Sequence, residues 1–186
     1  MPHVPDKIPL DDLPVTTVLP DLKQALSRGR YAVLEAPPGA GKTTRVPLAV
    51  MNEPWILGQK IIMLEPRRLA ARSCAAHMAH LLGEPVGRQV GYRIRHDHQI
   101  SKQTRIEIMT EGLFTRKIQQ DPFLEGVGLV IFDEFHERSI HSDLGLALCL
   151  DASSGLREDL RILVMSATLD TGRIAKLLTG APIISS

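Results

Sequence analysis

Thiols are scarce in this chain, and the two it has, Cys74 and Cys149, each fall inside an apolar helical pattern with no partner at metal-ligand spacing. That excludes a disulfide framework and a zinc site, and leaves two buried free thiols. Charge of one sign is scarce as well. The formal net charge is +1, so nucleic-acid binding cannot be read from bulk charge, and any basic surface must be local. No apolar run approaches the ~18 residues needed to cross a membrane. Met1 to Val15 holds four prolines and four charges but no apolar core of a signal peptide, so no membrane segment or secretory signal is read and a cytoplasmic location is expected. Repeats, low-complexity tracts and interdomain linkers are missing too. A chain of 186 residues then suffices for one sizeable α/β domain behind a proline-rich extension, residues 1–18.

What the chain does have is a phosphate loop. Tyr31 to Glu35 is short, apolar and β-rich, Thr43 to Met51 continues as a helix, and between them stands Ala36-Pro37-Pro38-Gly39-Ala40-Gly41-Lys42-Thr43-Thr44. In a strand, loop and helix of this kind successive backbone N–H groups form an anion nest, the lysine reaches the outer phosphates, and the first threonine hydroxyl is placed to hold Mg²⁺. The usual pattern opens on Gly where this chain has Ala36. A Gly-rich turn that happens to carry a lysine is the alternative reading.

Around that loop, strands and helices alternate. Leu19 to Ser27 reads as a helix behind an extended Met1 to Val18, and Arg67 to Leu82 as a helix stopped by Gly83. Lys60 to Leu64, Gln89 to Arg95, Arg105 to Met109, Gly128 to Phe132 and Arg161 to Met165 supply strands. Glu111 to Gln119, Ile140 to Leu150 and Thr171 to Leu178 supply further helices, with a last short strand at Pro182 to Ile184. This alternation predicts a mostly parallel sheet. The histidines His77 and His80, like His96 and His98, lack a third ligand and read as surface.

Two carboxylates, Asp133 and Glu134, follow the apolar run Leu129 to Phe132, at the carboxyl end of a strand where open α/β sheets bind ligands. Asp133 is suited to holding Mg²⁺ and Glu134 to orienting or deprotonating the water that attacks a γ-phosphate. His136, two residues on, is placed to relay the state of the nucleotide to neighbouring segments. Ser166-Ala167-Thr168, after the next buried strand, brings hydroxyls to the same edge; a helix N-cap is an equally physical role for them.

Those segments, with Glu65-Pro66-Arg67-Arg68-Leu69-Ala70-Ala71, Thr110-Glu111-Gly112 and Gly91-Tyr92-Arg93-Ile94-Arg95, stand in the order and spacing of the DEAH-box helicases. They resemble motifs I, Ia, Ib, II and III of the first RecA-like domain, and Asp133-Glu134-Phe135-His136-Glu137-Arg138 resembles the form found in a bacterial, HrpB-type branch. The resemblance implies a P-loop NTPase with a RecA-like three-layer sandwich, a mostly parallel sheet covered by helices on both faces over residues 19–186. It implies an ATP-dependent helicase or nucleoside triphosphatase using ATP and Mg²⁺. Pro38, Gly39, Ala40, Gly41, Lys42, Thr43 and Thr44 would bind the nucleotide, Thr43, Asp133 and Glu134 the metal, and Glu134, Lys42 and His136 would serve hydrolysis. Arg67, Arg68, Thr110, Glu111 and Gly112 would face the backbone of a single nucleic-acid strand, RNA ahead of DNA, and Ser166, Ala167 and Thr168 would couple the two events. At the position of the arginine that stacks on the base in that family this chain has His77. A second RecA-like domain, with motifs IV to VI, would come from a longer parent chain. A P-loop ATPase or kinase acting on a small molecule, and a nucleotide-binding scaffold without turnover, are the competing classes; the Ia and Ib segments speak against the former, Lys42 and Glu134 against the latter.

Overall fold

The computed structural model describes residues 13–167 and 171–186. The chain runs through a 3-10 turn at Pro14–Val18, α1 (Leu19–Arg28), β1 (Tyr31–Glu35), α2 (Lys42–Val50), β2 (Lys60–Leu64), α3 (Arg68–Leu81), β3 (Val90–Ile94) and β4 (Asp97–Gln99). It continues through β5 (Ile106–Met109), α4 (Glu111–Gln120), β6 (Val127–Phe132), α5 (Ile140–Gly155), β7 (Arg161–Ser166), α6 (Thr171–Leu177) and β8 (Ile183–Ser185). The strands form one sheet in the order β4-β3-β5-β2-β6-β7-β1-β8, and every pairing is parallel except that of β4 with β3.

The central strands carry almost no polar residue because both faces of the sheet are covered. Successive side chains point to opposite faces, and two separate cores follow from that alternation. Ile61, Met63, Leu129, Ile131, Leu163 and Met165 pack with Leu22, Leu26, Met51 and Met78 on the side of α1, α2 and α3. Their neighbours Ile62, Leu64, Val130, Phe132, Ile162 and Val164 pack with Phe114, Leu146 and Ile174 of α4, α5 and α6. The expected three-layer architecture, a mostly parallel sheet between two helical layers, is what the chain forms.

Three local features differ from the sequence expectation. Residues 14–18 are not extended but a 3-10 turn, because Val15 is fully buried and its N–H donates to the Ala40 carbonyl, which pins this segment under the phosphate loop. The expected extension otherwise falls outside the described residues. Helix α5 runs on to Gly155 rather than stopping at Leu150. Ser153 and Ser154 in the added turn donate to the carbonyls of Leu150 and Asp151 one turn back, and Ser153 also meets the Tyr31 hydroxyl at 2.7 Å. Strand β4 is an addition to the expected set. Its hairpin turns through His96 at φ 67°, without the glycine or asparagine that announces such turns, and Gly91 leaves room on β3 for the close approach of the Gln99 carbonyl.

Parallel order has one consequence for function. Strands β1, β2, β5, β6 and β7 all point the same way, so the segments that follow them, at Ala36, Glu65, Thr110, Asp133 and Ala167, meet along a single edge of the sheet.

Candidate active site

The loop between β1 and α2 is shaped by two left-handed glycines, Gly39 at φ 79° and Gly41 at φ 88°. A Cβ at Gly41 would have to adopt a disfavoured φ and push aside Leu13 Cδ1, 2.6 Å away, so the left-handed backbone is what selects glycine there. Ala36, in place of the expected glycine, is buried and donates its N–H to the Ser166 carbonyl at 3.1 Å, an extension of the β1–β7 ladder that alanine makes without strain.

Lys42 opens α2 and is only 3% exposed, with Nζ 2.9 Å from Glu134 Oε1. A buried ammonium without a counter-charge is costly, and here the partner is the very carboxylate read as the hydrolytic base. Asp133, 2% exposed, accepts the Glu134 N–H at Oδ1 and a hydrogen bond from the Thr43 side chain. Its other oxygen, Oδ2, is buried and has no hydrogen-bond partner. Burial is the main reason its carboxyl is pushed up to about 6, with Glu134 also raising it, while Thr43 and Lys42 act in the opposite direction. An orphaned carboxylate oxygen beside a threonine hydroxyl, in a buried site that disfavours its charge, fits a hard divalent cation held by oxygen.

His136 bridges two segments. Its Nδ1 accepts the Ala167 N–H at 3.3 Å and its Nε2 lies 3.3 Å from Glu134 Oε2. The imidazole thus stands between the Ala167 backbone and the Glu134 carboxylate, its Nδ1 serving as an acceptor. The short 3-10 turn Phe135–Glu137 that carries this histidine starts at Glu134 and ends at Arg138, which are non-glycine residues at φ 49° and 41°. Both ends are therefore in a conformation that side chains resist. Phe135 anchors the turn by packing edge-on to Phe132, their ring centroids 6.0 Å apart.

The nucleic-acid candidates line the same edge. Arg67 and Arg68 are exposed at the start of α3, and Thr110, Glu111 and Gly112 are half-buried at the start of α4. Glu111 accepts a short hydrogen bond from the Ser139 hydroxyl, and Ser139 also caps α5 by accepting the Ser142 N–H at 2.9 Å. Ser166 is fully buried at the end of β7, beside Ala167, while Thr168 lies outside the described residues. His77 is exposed on α3.

Sequence reasoning passes over one group. Glu65, at the end of β2, is 3% exposed and its carboxyl is pushed up to about 7, first by burial and then by the Asp133 charge. Its signal is visible, since an apolar run ending in a carboxylate is the same pattern that singles out Asp133. The two cysteines are buried and free, as expected, and burial raises both thiols well above their ordinary range.

Comparison with known proteins agrees with this geometry. The family described as DEAD/DEAH box helicase matches residues 19–177. The chain belongs to the DEAD/DEAH box helicase family. Within that helicase family it is 54% identical over 95% of its length to the ATP-dependent RNA helicase HrpB of Escherichia coli K12, and 35% identical over 93% to the ATP-dependent RNA helicase HrpA of Borreliella burgdorferi. A crystal structure of the Escherichia coli DEAH/RHA helicase HrpB superposes with a TM-score of 0.89 over 94% of this chain and 22% of that one, at 54% identity. The chain spans only 22% of that HrpB protein and 21% of that HrpA. The resemblance to the HrpB-type branch is thus borne out in sequence and in fold.

Proposed function

We propose that this chain is the nucleotide-binding motor lobe of an ATP-dependent, DEAH-box RNA helicase, and that residues 19–186 form its first RecA-like domain behind the 1–18 extension. The observation that carries the reading is the convergence of Lys42, Thr43, Asp133, Glu134 and His136 at the mouth of one phosphate loop. Pro38 to Thr44 would cradle the phosphates. Thr43 and Asp133, with Glu134 close by, would hold Mg²⁺, which when bound neutralises charge on the β- and γ-phosphates. The γ-phosphate would take Lys42 away from Glu134, and that carboxylate, still oriented by His136, would then address the attacking water. Through the Ala167 N–H, His136 would pass the change to Ser166, Ala167 and Thr168. Arg67, Arg68, Thr110, Glu111 and Gly112 would hold the sugar-phosphate backbone of single-stranded RNA without reading its bases. The parent protein would supply a second RecA-like domain and work in the cytoplasm, where ATP and Mg²⁺ are at hand.

The test is the metal dependence of nucleotide binding. Wild-type chain should bind ADP more tightly with Mg²⁺ than with a chelator, and Asp133→Asn should lose that increment while keeping metal-free affinity. An undiminished Mg²⁺ effect in Asp133→Asn would remove Asp133 from the metal site.

A further inference from the structure

Arg67 stands just ahead of α3 with 66% of its side chain exposed, between two carboxylates: its Nη2 is 3.2 Å from Glu137 Oε1 and its Nε 3.9 Å from Glu65 Oε1. Glu137, 39% exposed, is the last residue of the strained 3-10 turn, and its own N–H donates to the Glu134 carbonyl at 2.9 Å. A guanidinium offers an oxyanion two bidentate edges, side-on through Nε and Nη2 and end-on through Nη1 and Nη2. Nη2 is common to both. Nη2 carries one N–H on each edge, so a phosphate that grips Arg67 by either edge is brought beside the Glu137 carboxylate, and the two anions repel each other and share one guanidinium.

We propose, building on the reading of Arg67 as a strand contact, that Glu137 is a positioning residue: a built-in carboxylate that competes with a nucleic-acid phosphate for Arg67, so that strand binding releases the turn carrying Glu134. The pair suits exchange rather than permanent bracing. Both partners are solvated, and such pairs shift an equilibrium constant by about two- to fivefold, an amount one phosphate contact overcomes. The turn is also tethered on its other sides, by His136 to Ala167 and by Ser139 to Glu111, so letting go of Arg67 alters the set of contacts that places Glu134 rather than a free loop. Glu137 thereby joins the strand-facing segment at α3 to the hydrolytic carboxylate without touching nucleotide.

The test is fluorescence anisotropy of a short uniform single-stranded RNA oligonucleotide with this chain at low ionic strength, for wild type, Glu137→Gln, Glu137→Asp, Arg67→Gln and the double variant Glu137→Gln/Arg67→Gln. Glu137→Gln should bind about two- to fivefold more tightly than wild type, with the gain absent when Arg67 is also Gln. Glu137→Asp, which keeps the charge, should bind nearer to wild type, and the affinity for Mg-ADP without RNA should be the same in Glu137→Gln and wild type. No gain, or the same gain with and without Arg67, overturns the proposal, the second result being what loss of any nearby negative charge would give. Wild type that binds no RNA even at low salt overturns the reading of Arg67 itself, and this inference with it.

Discussion

Glu65 shows what one residue at the sheet edge costs and why it stands out. Its carboxyl sits at about 7 in the folded chain against an ordinary 4.5, so the folded state holds that proton more tightly than the unfolded one. The penalty for ionising it is absent below about 4.5 and is fully present above about 7, so the stability owed to this group falls as pH rises through that window. Glu65→Gln fixes the neutral form. In metal-free, nucleotide-free buffer the variant should melt close to wild type near pH 4.5 and several degrees higher near pH 8, since a shift of this size is worth at most about 3 kcal/mol and each kcal/mol moves the midpoint by about 2–4 °C at this chain length. A gain of the same size at both pH values would mean that ionisation of Glu65 is not its cause. Asp133 and Glu134 were legible in the sequence because carboxylates directly after an apolar strand fall at the edge where parallel sheets bind ligands, and burial there is costly without a cation or a base's task to justify it. The Arg67–Glu137 and Glu111–Ser139 contacts were not, since each joins segments far apart in sequence through side chains whose directions depend on a 3-10 turn with unusual backbone angles.

Among the elements, those with a strong period were readable and those held by single tertiary contacts were not. The apolar runs β2, β6 and β7 and the three- and four-residue spacing in α3 stand where the residues placed them, whereas β4, the Pro14–Val18 turn and the last turn of α5 depend on Gln99, Val15 and Ser153 meeting partners elsewhere in the chain. At the opposite edge of the sheet Arg105, Arg157 and Arg161 each tie separate segments through backbone carbonyls, and Arg157 makes the densest set. Arg157 donates from Nη1 to the Phe123 and Leu124 carbonyls at 2.6 and 2.9 Å, from Nη2 to the Val127 carbonyl at 2.8 Å, and from Nε and Nη2 to Asp159. It fastens the loop before β6 to the loop before β7, and the pairing holds the Asp159 carboxyl well below its ordinary range. Arg157→Ala should lower the unfolding free energy by about 1–3 kcal/mol, read as a shift in urea midpoint, because the Phe123, Leu124 and Val127 carbonyls each lose a guanidinium donor, although Leu124 keeps the Val127 N–H. Mg-ADP affinity should be unchanged, as the phosphate loop lies at the other end of the strands. A variant of wild-type stability would show that water replaces the guanidinium without loss.

For the whole molecule, the proposed reading has one lobe supply the base, the metal ligands and the lysine, which would leave charge on the transferring phosphate only partly neutralised. An arginine finger from a second lobe typically contributes about 10³–10⁵ in rate. The chain spans 22% of the HrpB protein it resembles, so we expect it to bind Mg-ATP yet hydrolyse it more slowly, by a factor on that order, than a protein carrying both lobes under the same salt and Mg²⁺. Duplex unwinding should be absent, since one lobe has nothing to close against. Equal turnover in the two proteins would show that residues 1–186 hold a complete active site. The account rests before all else on the phosphate loop, and the measurement that reaches it most directly is a calorimetric titration of Mg-ADP into wild type and Lys42→Ala. Wild type should bind and the variant should not, because no neutral side chain replaces a buried ammonium facing phosphate; equal affinity in the two would contradict the assignment of this site.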